Sequence, residues 1–140
     1  MPFTPVRTVL VVDDRRDVAD TLADMCRALG YAAEVAADGE AMLGLLERHR
    51  PDAVIVDVMM PQQDGFEALK DISVHNPALP VLLVTGHGGD WLEMGQTLGR
   101  ARGLTSVHTL AKPIRLHALR RFLEAVGGEG RVGKARGSVS

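Results

Sequence analysis

Apolar residues recur along this chain in two alternating patterns. Short Val-rich runs without polar alternation occupy residues 8–12, 53–56 and 81–84, and weaker runs occupy 32–36 and 106–110. Such runs are typical of strands buried on both faces of a parallel sheet. Between them, apolar residues recur every three or four positions, which predicts helices. The alternation of five predicted strands with five predicted helices favours an α/β fold with a doubly wound parallel sheet.

Composition narrows the class of protein. The chain has 140 residues and 46% hydrophobic content, which suits one domain with a sizeable core. Its 16 Lys and Arg residues nearly balance 18 Asp and Glu residues, so no charge excess favours direct binding of nucleic acid. The single cysteine, Cys26, excludes an internal disulfide, and we interpret it as a small core residue of the first helix.

Two further expectations concern the ends of the chain and its location. Beyond Val126 the sequence GGEGRVGKARGSVS has almost nothing apolar to bury. We therefore predict a domain over residues 1–126 and a disordered tail or linker stub over 127–140. The N-terminus lacks the apolar core of a signal peptide, and no apolar run approaches the roughly 18 residues of a membrane span. These features favour a cytoplasmic protein without membrane contact.

Polar residues follow four of the predicted strands. Asp13 and Asp14 end the first, Asp57 the third and Thr85 the fourth, while Lys112 follows the fifth. Because parallel strands end at the same edge of a sheet, we expect these side chains to lie close together. Each has an ordinary alternative as a helix cap, a backbone partner or a solvated charge. Their convergence favours a site.

Clustered carboxylates repel one another unless a cation lies among them. The cluster has no His or Cys at ligand spacing, so Mg²⁺ or Mn²⁺ is favoured over zinc, with Asp13 and Asp14 as the ligands. Phosphoryl transfer would use the same set of residues. Asp57 could be the nucleophile, Lys112 the cation over the phosphoryl oxygens, and Thr85 a hydrogen-bond donor to the same group.

Four motifs in this order resemble the receiver domain of bacterial two-component response regulators, over about residues 6–126. They are VLVVDD, IVDVMMPQQDGFEAL, LLVTGHGGD and LAKPI. The resemblance implies a flavodoxin-like fold with strand order 2-1-3-4-5. It implies that Asp57 accepts the phosphoryl group, Thr85 is the switch hydroxyl and Lys112 binds the phosphate. It also implies a cis peptide at Lys112-Pro113.

The same resemblance implies a metal site for Mg²⁺ or Mn²⁺. Asp14 would be a direct ligand, Asp13 a ligand through water, and the carbonyl of Met59 a third ligand beside Asp57. The implied partners are a histidine kinase or phosphotransfer protein and an unidentified downstream protein, with the chain as a monomer or weak dimer. The chain would catalyse only its own phosphorylation and dephosphorylation.

Two rival functions stay open, and one position departs from the family pattern. An aspartate-nucleophile phosphatase would need an acid two residues after Asp57, where this chain has Met59. A pseudo-receiver that is never phosphorylated would be expected to have lost an acid or Lys112. The departure is Thr109, which stands where the family usually has Tyr or Phe. We interpret His87, in a glycine-rich loop, as a solvated side chain.

Overall fold

The computed structural model describes residues 7–58, 65–86 and 89–138, with the side chains of these ranges except 65–66, 89, 91–92 and 128–138. Strands and helices alternate along the whole of this part of the chain. In order they are β1 (Thr8–Val12), α1 (Arg16–Ala28), β2 (Ala32–Ala36), α2 (Gly39–His49), β3 (Ala53–Asp57), α3 (Gly65–His75), β4 (Val81–Thr85), α4 (Gly89–Ala101), β5 (Val107–Ala111) and α5 (Leu116–Ser138).

The strands form one parallel sheet in the order β2-β1-β3-β4-β5. This confirms the predicted doubly wound architecture and the strand order that the resemblance implied. The sheet has a hydrophobic core on each face. Successive residues of a strand point to opposite faces, so Leu10 and Val54 join the core that contains α2 and α3, whereas Val11 and Ile55 join the core that contains α1 and α5. Both faces are therefore covered.

Local signals explain where the helices begin and end. The carboxylate of Asp38 accepts a 2.8 Å hydrogen bond from the Ala41 N–H and caps the start of α2. Gly30 follows α1 with φ +97°, a left-handed conformation that glycine adopts without the steric cost of a Cβ atom. At the end of α2, Arg50 takes a left-handed conformation with φ 45°.

Helix α5 extends to Ser138, which differs from the unstructured tail expected from residue 127. The packed first turns of α5 provide a helix nucleus, which offsets part of the unfavourable helix propensity of the glycines at 127, 128, 130, 133 and 137. Val126 is the last member of the hydrophobic core among the side chains that the structure describes. The domain boundary at residue 126 stays a prediction. Within the described ranges, no helix combines the length and the apolar character needed to cross a membrane.

Candidate functional site

Five polar side chains meet at the carboxyl edge of the sheet. Asp13 and Asp14 follow β1, Asp57 and Thr85 are the last residues of β3 and β4, and Lys112 follows β5. The structure thus places at one edge the five residues that the sequence predicted to converge there. Asp13 is 1% exposed and Asp57 is 4% exposed. Carboxylates so deeply buried need a partner, because desolvating an unpaired charge costs several kcal/mol.

The backbone of the sheet sets the positions of these side chains. The N–H of Asp13 donates to the carbonyl oxygen of Ala36 at 3.1 Å, and the N–H of Lys112 donates to that of Thr85 at 2.7 Å. Both bonds continue the strand ladders past the last apolar residues. Each polar side chain therefore leaves a backbone that is already held on the sheet.

Lys112 is the positive partner of the two buried acids. Its Nζ lies 3.0 Å from Oδ2 of Asp13 and 3.1 Å from Oδ2 of Asp57. Burial of the ammonium lowers the pKa of Lys112, but the hydrogen bonds and charges of Asp13 and Asp57 outweigh it and raise the pKa above its ordinary value. Lys112 is therefore a cation held between two carboxylates. The Lys112-Pro113 peptide beside it is cis, as the resemblance implied.

The acidic cluster has the donors of a divalent-metal site. One carboxylate oxygen from each of Asp13, Asp14 and Asp57 lies within 4.8 Å of the other two. Three carboxylates meet one ammonium group, so an excess of negative charge stays at this edge of the sheet. A hard divalent cation with oxygen ligands fits such a set, and magnesium typically uses one or two carboxylates and keeps several waters. The residues present therefore suit Mg²⁺ or Mn²⁺.

The helix-cap interpretation of the acidic residues is not supported. The N-cap of α1 is Arg15, without a side-chain capping bond, and Asp57 is the last residue of β3, well before α3 begins at Gly65. Asp13 does bind locally, because its Oδ1 accepts a 2.9 Å hydrogen bond from the N–H of Arg15. Its other oxygen faces Lys112. Asp13 and Asp57 therefore share the ammonium of Lys112.

Three other residues singled out in the sequence have different outcomes. Met59 and His87 lie outside the described residues, so the carbonyl ligand and the solvated histidine stay predictions. Cys26 is buried in the core beside α5, and burial raises the pKa of its thiol to about 12 against a smaller opposing effect of Arg27. A thiol so reluctant to ionise is a poor nucleophile, which agrees with a core role.

Thr109 is half-buried on β5, where its Cα pairs with that of Leu83. Sequence reasoning assigned no role to Arg15, whose backbone nevertheless binds a residue of the cluster. The one sequence feature that could have indicated this contact is the position of Arg15 directly after Asp13-Asp14. An arginine next to an acidic pair is easily interpreted as a simple surface charge.

The chain matches known proteins over most of its length. A family model for the response regulator receiver domain matches residues 9–124. The chain is 44% identical over 81 residues to response regulator MprA of Mycobacterium sp. (strain KMS), which covers 58% of this chain and 35% of that protein. It is 40% identical over 77 residues to response regulator MprA of Mycobacterium leprae (strain TN). This alignment covers 55% of this chain and 34% of that protein. The aligned part is thus about a third of each of these relatives.

Solved structures agree with this assignment. Chemotaxis protein CheY4 of Vibrio cholerae superimposes with a TM-score of 0.76 and 29% identity, over 86% of this chain and 98% of that one. The receiver domain of the Francisella response regulator 1452 gives a TM-score of 0.74 and 26% identity, over 88% and 98%. The sheet order, the acidic edge and these matches lead to one conclusion. The chain belongs to the response regulator receiver domain family of two-component signalling systems.

Proposed function

We propose that this receiver takes a phosphoryl group from a phosphohistidine of a kinase or phosphotransfer protein onto Asp57. One observation carries the proposal: the ammonium of Lys112 is shared between Asp57 and Asp13, with Asp14 in the same cluster. Asp57 is the member of this set that ends the central strand β3. Its carboxylate therefore has a cation and two further acids within reach.

In the transfer step, a carboxylate oxygen of Asp57 attacks the phosphorus of the donor. The new O–P bond forms as the P–N bond breaks, and the leaving imidazole nitrogen keeps the electron pair and takes up a proton. Lys112 already lies at hydrogen-bond distance from Asp57, so its ammonium can follow the charge onto a phosphoryl oxygen. Thr85, fully buried at the end of β4, would supply a hydroxyl to the same group.

A divalent metal is part of this proposal. Asp13, Asp14 and Asp57 would hold Mg²⁺ or Mn²⁺, with the carbonyl of Met59 as the further ligand that the resemblance implies. When bound, the ion would offset the charge of the carboxylates and of the phosphoryl oxygens. The protein itself contributes the nucleophile Asp57, the further acids Asp13 and Asp14, and the ammonium of Lys112.

Signalling would follow from a change in conformation. We propose that phosphorylation alters the surface near α4 and α5 and so changes the binding of a downstream protein. The chain itself would catalyse only its own phosphorylation and dephosphorylation. Family membership implies interaction with histidine kinases and downstream effectors.

The deciding experiment is intact-mass measurement after incubation with acetyl phosphate and Mg²⁺. We expect a gain of one phosphoryl group by the wild type and none by Asp57→Asn. Asp38→Asn is the matched control, because Asp38 follows another strand and asparagine caps a helix as well as aspartate does. It should label like the wild type. Labelling of Asp57→Asn at the wild-type rate would overturn the assignment.

The same experiment separates the rival functions. A pseudo-receiver would show no mass gain with any phosphodonor. A phosphatase would release phosphate from an added phosphomonoester through repeated turnovers. The wild type should instead gain mass and release phosphate only as its own aspartyl phosphate hydrolyses.

A further inference from the structure

Arg15 joins the acidic cluster to the first helix. Its N–H donates to Oδ1 of Asp13 at 2.9 Å, and it is the N-cap residue of α1, which begins at Arg16. Its side chain makes no capping hydrogen bond and is 67% exposed. The backbone of Arg15 is therefore fixed against the site, and its exposed side chain extends from that fixed point.

The guanidinium is held only weakly. Its ion-pair partner is Asp17, at 3.7 Å, and the side chain of Asp17 is itself 78% exposed. The two ion pairs within α1 are shorter. Arg16 lies 3.2 Å from Asp20, and Arg27 lies 3.1 Å from Asp24. A long, exposed ion pair contributes little free energy. Arg15 can therefore leave Asp17 for a more highly charged anion at small cost.

A cation at the entrance would attract an anionic donor to the site. An incoming phosphoryl group is anionic, and it approaches Asp13, Asp14 and Asp57, whose carboxylates repel it. Lys112 is already hydrogen-bonded to two of these acids and is only 20% exposed. A guanidinium suits phosphate because its N–H groups form paired hydrogen bonds with two phosphoryl oxygens.

We propose that Arg15 binds the phosphoryl group of an incoming anionic phosphodonor at the rim of the site, before transfer to Asp57. The inference rests on the proposed function. Arg15 is thereby a binding residue for the donor and takes no part in bond breaking. Arg16, its neighbour in sequence, is a natural control because its guanidinium is bound to Asp20 one helical turn away.

The test is the apparent second-order rate constant for labelling by acetyl phosphate at low ionic strength with saturating Mg²⁺. Arg15→Ala should lower it about two- to fivefold, the range that one exposed ion pair provides. Arg15→Lys should retain part of the rate, and Arg16→Ala should match the wild type. Asp17→Asn removes the competing partner, so it should label at least as fast as the wild type.

A second readout separates donor binding from a structural effect. Added salt should slow the wild type more than Arg15→Ala, because salt screens the attraction between the guanidinium and the donor. Thermal unfolding of the two proteins should coincide. Equal rate constants for Arg15→Ala and Arg16→Ala, or equal salt dependence of wild type and Arg15→Ala, would overturn the inference. Failure of the wild type to label would instead overturn the proposed function on which it rests.

Discussion

The ammonium of Lys112 lies 3.0 Å from a carboxylate oxygen of Asp13, although 99 positions separate the two residues in the chain. In the sheet, two further strands, β3 and β4, lie between their strands. The lysine therefore reaches across the ends of these strands and touches Asp57 on the way. One side chain both connects the edge strand to the centre of the sheet and compensates two buried negative charges.

Removal of this cation should destabilise the protein. Lys112→Met leaves the carboxylates of Asp13 and Asp57 buried without their ammonium partner, so we expect a loss of about 1–3 kcal/mol in the free energy of unfolding. Urea unfolding near neutral pH without divalent metal measures it. Lys70→Met, at an exposed position on α3, should change little. Added Mg²⁺ should restore part of the loss, and equal stability of Lys112→Met and wild type would contradict the prediction.

The stabilising effect of Lys112 should depend on pH in one direction. Its pKa in the folded protein is raised above the ordinary value of 10.5, because the hydrogen bonds and charges of Asp13 and Asp57 outweigh the effect of burial. A raised folded-state pKa means that the contribution is fully present below the unfolded pKa and is lost as pH rises through the folded one.

The free-energy difference between the wild type and Lys112→Met should therefore be constant from neutrality to about pH 10 and shrink above about pH 10.5. Urea unfolding across this range measures it. A difference that shrinks on acidification toward neutrality, or that persists unchanged at higher pH, would show that another group dominates.

Thr85 should transmit phosphorylation without being required for it. It is fully buried at the end of β4, and the usual aromatic position of the family is occupied here by Thr109, which is too small to act as a rotating ring. We expect Thr85 to move toward the phosphoryl oxygens and shift the start of α4. Trp91, the single tryptophan, belongs to that helix.

Beryllofluoride with Mg²⁺ should therefore change the tryptophan fluorescence of the wild type. Thr85→Ala should still accept a phosphoryl group and lose most of this change, compared at matched occupancy. An undiminished fluorescence response in Thr85→Ala would rule out this route.

Two glycines within helices should respond oppositely to the same substitution. A Cβ at Gly99 of α4 would lie 3.1 Å from Cγ2 of Val107, so Gly99→Ala should push α4 away from β5 and cost about 1 kcal/mol. A Cβ at Gly44 of α2 would meet only the far end of Arg48, at 3.8 Å. Gly44→Ala should therefore stabilise by about 0.5–1 kcal/mol through helix propensity alone. Urea unfolding measures the stability of both variants. A loss of stability in Gly44→Ala would contradict the prediction for α2.

The architecture could be predicted from the sequence because strands buried on both faces are continuous apolar runs, which differ clearly from the helical periodicity between them. Strands β1 and β2 have the predicted bounds, while β3 and β4 each extend one residue further and include Asp57 and Thr85. The prediction ended β3 and β4 where the side chains become polar. Hydrogen bonds between strands do not depend on side-chain polarity, and the bond from the N–H of Val58 to the carbonyl of Val84 continues the ladder.

The site was predictable as a group of residues but not as a set of contacts. Strand ends in a parallel sheet share one edge, so the positions of Asp57 and Lys112 followed from the order of elements. That Lys112 also holds Asp13 depends on the course of β5 at the edge of the sheet, which no local pattern encodes. The metal-binding role of the Met59 carbonyl depends on a backbone outside the described residues and stays a prediction.

The contact between Lys112 and Asp13 also has a consequence for synthesis of the protein. During translation, β1 to β4 leave the ribosome before the residues of β5, so the acidic cluster exists for a time without its lysine. If the first four strands pair before Lys112 is available, Asp13 and Asp57 lack the cation that they contact in the complete chain. Under the proposed function, a chain that ends before Lys112 would lack the ammonium expected to bind the phosphoryl group on Asp57.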